Sequence, residues 1–203
     1  FAGGESTAAT ARSVDFDGSD DYLSIGTSSD FTLSTNDFTV EAFFKSTAST
    51  NSEIGNYSSI ITMGLPFQLY WHDKRFRCWV QDGSSYVING SDGNFETGAN
   101  SAPTNTWHHV AVTRTGNTFR LFLNGILKAT ATNSVSIPNP SDPTGIGRFN
   151  PNSNLYAIGQ ISNLRFVNGT ALYTSSFRPP TEPLTNITNT KLLCCNNSST
   201  TGS

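Results

Sequence analysis

The chain has 203 residues, room for one large β-domain or two small ones, and a formal net charge of −3. Only 13% of it is charged, with no Lys/Arg cluster to neutralise phosphates, which excludes nucleic acid and an anionic membrane as main partners. No apolar run approaches the roughly 18 residues of a membrane-spanning helix, so no membrane insertion is expected, and no charged-then-apolar signal segment opens the sequence.

Residues 1–11 (FAGGESTAATA) are small and polar and read as a linker. Short strands are expected at 12–17 and 21–25, split by Gly18-Ser19. In 38–45 (FTVEAFFK), alternation puts Phe38, Val40, Ala42 and Phe44 on one face. A polar loop at 47–56 precedes strands at 60–63, 66–72, 76–81 and 86–89. Residues 90–105 are rich in Gly, Asn and Ser, have little to bury, and read as the longest surface loop.

The clearest pattern is 107–131, WHHVAVTRTGNTFRLFLNGILKATA, three strands joined by two tight turns. Gly116-Asn117 suits a type II′ turn and Asn124-Gly125 a type I′ turn. Counting back from the first turn pairs Arg114 with Phe119, Val112 with Leu121, and Val110 with Leu123. Val110, Val112, Phe119, Leu121 and Leu123 then face the core, and Trp107, His109, Ala111 and Phe122 face away. Pairing across the second turn sets Lys128 beside Leu121, which calls for a bulge, a rim position or another register.

Residues 133–144 carry Pro138, Pro140 and Pro143 and can only be loop or edge. Strands follow at 145–149 and 157–167, the second ending at Asn168-Gly169. Residues 172–183 are irregular, with Pro179-Pro180 forcing extended backbone; 191–195 is the last strand and 196–203 a polar tail or linker. No stretch has a helical period beyond one turn at 170–175, so the elements imply a β-sandwich or barrel. The three cysteines, Cys78, Cys194 and Cys195, are a poor disulfide framework. Strand neighbours point to opposite faces, so all three are expected to be reduced, as suits folding in a reducing cytosol.

Four stretches, VDFDGSDDYLSI from Val14, DFTVEAFFK from Asp37, TWHHVAVTRTGNTFRLFLNGIL from Thr106 and the block from Ile161 to Cys195, resemble laminin-G-like, concanavalin A-like domains. The last block, with G-T-A-L-Y and F-x-P-P-x-x-P-L elements, is similar to the version in virion proteins of tailed, especially marine, bacteriophages. The resemblance covers 12–195 and implies an all-β fold, a two-sheet antiparallel jelly-roll sandwich. It also implies a module cut from a longer virion protein, displayed on the particle as tail fibre, capsid decoration or appendage. Such a module would bind host-cell glycans weakly and multivalently, beside other virion subunits and in an oligomeric setting. The rival implied by the same resemblance is a purely structural decoration or fibre domain.

Glycosidases of this fold carry an E-x-D-x-E strand; here Glu41 stands between Val40 and Ala42, so no catalysis is expected. Relatives often bind a structural Ca²⁺ at the sandwich rim. Asp17, Asp20 and Asp21 in the first turn, with Asn163 where relatives often carry an acid, are the metal candidates. The alternative is that the aspartates cap the Gly18 turn. In FQLYWHDKRFRCWVQ, alternation sends Phe67, Leu69 and Trp71 to the core, leaving Tyr70, His72 and Asp73 as solvent-facing ligand-binding candidates.

Overall fold

The computed structural model describes residues 12–149 and 155–196; the expected linker at 1–11 and all but Asn196 of the tail lie outside them. The described strands form two antiparallel sheets. The first runs β1 (Val14–Asp17), β12 (Ile158–Asn168), β3 (Phe38–Ser46), β8 (His108–Thr115), β9 (Thr118–Leu123), β10 (Ile126–Thr132), with β13 (Thr190–Cys194) also paired to β12. The second runs β2 (Leu23–Ile25), β11 (Thr144–Ile146), β4 (Ser58–Met63), β5 (Phe67–His72), β6 (Arg75–Gln81), β7 (Tyr86–Asn89).

The meander forms because its turns fix its register. Val110 opposes Leu123, Val112 opposes Leu121 and Arg114 opposes Phe119, as the count from Gly116-Asn117 predicts. Gly116 has φ +55, as the first position of a type II′ turn requires, and Asn124 (φ +49) and Gly125 (φ +76) match type I′. The register of β10 slips between Leu127 and Ala129, so Ala129 opposes Leu121 and Lys128 is the bulged residue. Val110, Val112, Phe119 and Leu121 are fully buried.

Aromatic side chains fill the space between the sheets. Phe38 meets Phe67 edge-on at 5.6 Å, and Phe44 packs on both Trp71 and Phe76. The Trp71 indole nitrogen donates to the Ala102 carbonyl at 2.8 Å, which anchors the long loop after β7.

Two local readings change. Residues 47–56 contain a helical turn, α1 (Asn51–Ile54), held by a capping box between Thr50 and Glu53. Residues 170–175 contain no helix. Instead, 170–184 run as a strap over the outer face of the first sheet. Thr39 Oγ1 donates to Thr170 O, Thr113 Oγ1 donates to Tyr173 O, and Phe177 N donates to Gly125 O, each within 3 Å. A Cβ at Gly125 would collide with the Phe177 carbonyl oxygen, so the type I′ glycine also lets the strap approach.

The three cysteines are free, but Cys194 and Cys195 do not diverge. Cys195 follows the end of β13 with φ +59, which breaks the alternation and brings the two sulfurs to 3.7 Å.

Candidate functional site

The outer face of the second sheet holds the residues the sequence singles out. Tyr70 points outward, as alternation requires, but its ring is wholly buried under Tyr57, Trp79 and Phe149, with centroids at 5.3, 4.9 and 5.6 Å. It is therefore not solvent-facing. Burial pushes the Tyr70 hydroxyl well above its ordinary pKa, a nearby Ser91 side chain offsets part of that rise, and no partner lies within full hydrogen-bond geometry of the hydroxyl. The Gln68 amide and the Trp79 indole nitrogen on the same face are also buried and unpartnered.

His72 is half-buried against Tyr57, and its Nδ1 lies 2.9 Å from Arg77 Nη1. Burial, then the Arg77 charge, holds the imidazole below its ordinary pKa. The neutral ring therefore accepts the Arg77 proton. Asp73 pairs with Arg75 at 2.8 Å, and Arg75 and Arg77 both pair with Glu96 at 2.9 Å. His72 and Asp73 thus belong to a chain of hydrogen bonds and ion pairs along the β5–β6 hairpin.

The metal candidates separate. Oxygens of Asp17, Asp20 and Asp21 lie within 4.8 Å of one another at an exposed turn, where Asp17 Oδ1 accepts from Ser19 N at 2.8 Å. That is the expected cap of the Gly18 turn. Asn163 is not with them: Asp17 opposes Ile158 on β12, so Asn163 lies five positions along that strand, on the order of 15 Å away. It sits instead in a β12 bulge with φ +51, its Oδ1 accepting Leu184 N at 2.7 Å to anchor the strap. Three exposed carboxylates fall short of the six to eight oxygens calcium takes, unless carbonyls and water complete the shell.

On the outer face of the first sheet, Glu41 is fully buried and fully used. Its Oε1 accepts Arg165 Nε at 2.9 Å and Nη2 at 2.5 Å; its Oε2 accepts His109 Nε2 at 3.1 Å and the Tyr173 hydroxyl at 2.9 Å. Burial pushes the carboxyl up, but the His109 hydrogen bond and the Arg165 charge outweigh it and hold the pKa below its ordinary value. Tyr173 stacks on Phe177 at 3.5 Å, and Phe177 packs on Phe122 and His109. The outward Phe122 and His109 are thus covered by the strap.

Where the strap ends, it leaves a pocket of about 310 Å³ against the sheet. Phe43, Trp107, Pro180 and Pro183 supply its apolar walls, and Ser13, Ser162, Asn163, Thr181 and Glu182 its polar groups. Ser162 and Asn163 are engaged already: Ser162 Oγ donates to Arg12 O, and Asn163 Nδ2 donates to Ser162 Oγ. The side chains of Ser13, Thr181 and Glu182 make no hydrogen bond among the described residues and face a ligand free. Trp107 is 40% exposed, with Lys45 Nζ 5.4 Å from its ring centroid. Alternation places Trp107 on the outer face, but its meeting with Glu182 depends on the path of the strap, which no local pattern encodes. The pocket holds one carboxylate, whereas glycoside hydrolysis commonly uses two.

Residues 17–174, more than half of the chain, match the model of the concanavalin A-like lectin/glucanases superfamily in its third laminin-G form. No curated protein matches. Among solved structures, the chain is similar to a putative carbohydrate-binding protein from Bacteroides ovatus, with 17% identity and a TM-score of 0.59 over 77% of this chain and 43% of that one. Leech intramolecular trans-sialidase complexed with 2,7-anhydro-Neu5Ac gives 16% and 0.58 over 80% and 26%. Domain 4 of an extracellular arabinanase from Geobacillus stearothermophilus, in complex with arabinotriose, gives 15% and 0.53 over 77% and 70%. These identities speak for the fold alone, and the chain spans less than half the length of the first structures it matches.

Proposed function

Because the chain belongs to the concanavalin A-like lectin/glucanases superfamily, we propose that it is a non-catalytic glycan-binding module that holds its ligand in the pocket at Trp107. The observation that carries this reading is an exposed indole set beside three unengaged polar side chains. Such a wall stacks on the C–H face of a sugar, while hydroxyl and carboxylate groups take its hydroxyls. Two of the similar structures carry sugars, which supports the same direction.

The finer reading is a module on the surface of a tailed-phage particle, folded in the host cytosol and binding a host-cell glycan beside other virion subunits. It rests on the resemblance of Ile161 to Cys195 to phage virion domains and on three free thiols. One small pocket supports only weak binding, about millimolar, and many copies together raise the avidity by orders of magnitude. The test is a glycan array probed with multimerised domain. Signal on a defined glycan set, reduced at least about tenfold by Trp107→Ala, is the expected outcome. A blank array, with Trp107→Ala leaving host adsorption unchanged, would hand the function to a structural decoration role.

A further inference from the structure

The pocket's own chemistry restricts the sugar it takes. Among its lining residues Glu182 carries the single formal charge, and no lining residue is cationic. Glu182 is exposed and makes no hydrogen bond among the described residues, so its two oxygens are free to accept from hydroxyls. The hydroxyls of Ser13 and Thr181 add two donors that are also acceptors. Lys45 does not line the pocket, but its ammonium lies over the Trp107 ring, 5.4 Å from the centroid. The volume stands at the low end for a small-molecule site, and the strap prolines wall one side, so a chain end fits better than a passing polymer.

Resting on the glycan-binding reading, we infer that the pocket receives the uncharged terminal residue of a neutral glycan and rejects acidic sugars. The C–H face of the ring lies on Trp107, and adjacent hydroxyls donate to the Glu182 carboxylate. Charge-assisted hydrogen bonds of this kind are the strong ones available here. A sialic or uronic acid would bring a second carboxylate close to Glu182 with no lining cation to offset it. Two like charges a few ångströms apart repel even at an exposed site, by enough to cost about tenfold in affinity.

The experiment uses paired probes: oligosaccharides ending in a neutral hexose or pentose, and the same oligosaccharides capped with sialic acid or a uronic acid. Multimerised domain should bind members of the neutral set and lose at least about tenfold on acidic capping. Glu182→Lys should weaken neutral binding and narrow that ratio, with an unchanged circular dichroism spectrum showing that the fold is intact. Capped probes bound as well as or better than neutral ones, with Lys45→Ala abolishing that binding, would overturn the inference while leaving glycan binding in place. If neither set binds and Trp107→Ala changes nothing, the underlying reading fails, and the inference falls with it.

Discussion

The two outer faces of the sandwich satisfy their buried polar groups to different degrees. Under the strap, Glu41 satisfies both oxygens with Arg165, His109 and Tyr173, and His109 Nδ1 is left without a partner. Under Phe149 and Tyr57, the Tyr70 hydroxyl, the Trp79 indole nitrogen and both ends of the Gln68 amide have no partner. A buried carboxylate with every acceptor used holds its partners in one geometry, and here that geometry fixes the strap whose end forms the pocket. The unsatisfied set fixes nothing by itself, and groups of this kind are commonly met by ordered water.

The comparison breaks first at Glu41. Glu41→Ala leaves Arg165 and His109 buried without their acid, and urea unfolding should show a loss of about 3–5 kcal/mol. Equal stability of variant and parent would mean that the network does not hold the strap. The same carboxyl sets an acid limit. Its folded pKa lies below the ordinary 4.5, so its contribution is complete above that pH and is lost as pH falls through the folded value. The stability gap between the parent and Glu41→Gln should therefore be constant near neutrality and narrow on acidification below about pH 4.5.

Two tyrosines sharpen the contrast. Tyr173→Phe removes a hydrogen bond to a charged group and should cost about 1.5–3 kcal/mol. Tyr70→Phe removes a buried hydroxyl with no partner in full hydrogen-bond geometry and should be neutral or stabilising by up to about 1 kcal/mol. Parallel denaturant titrations decide it; a comparable loss in both would show that water already satisfies Tyr70. The smallest effect is expected at the aspartate turn. Millimolar calcium against chelator should shift the melting temperature by less than about 2 °C, since the three carboxylates are exposed and Asn163 is elsewhere. A shift well beyond that would mean loop carbonyls complete a metal shell around them.

The fold was readable because sheet registers are short-range facts. Asn-Gly and Gly-Asn dictate the turns, alternation dictates the faces, and the Lys128 mismatch marks a real bulge. The capping box of α1 was also readable, in Thr50 and Glu53, but is hidden in a polar stretch that reads as loop. Tyr70 marks the limit of alternation as a guide. Alternation separates inward from outward, not outward from solvent, and Phe149, which covers it, comes from a distant segment. Glu41, which looks solitary in sequence, gains its partners from β8, β12 and the strap. The pocket is harder still, because Ser13, Trp107 and Glu182 meet only when both ends of the described chain are in place.

That meeting follows from β12 serving two strands along one edge. β1 begins opposite Ile161 and β13 ends opposite Leu164, so entry and exit of the domain lie roughly 10 Å apart. Termini this close together are the arrangement that tolerates insertion into a loop without prising the loop open. Ser13 and Asn163 line the pocket, and Asn163 N donates to Cys195 O at 3.1 Å, so both ends of the described chain lie beside its mouth. Anything joined at either end would therefore stand beside the pocket, so the way this module is mounted and the access to its ligand are one geometric question.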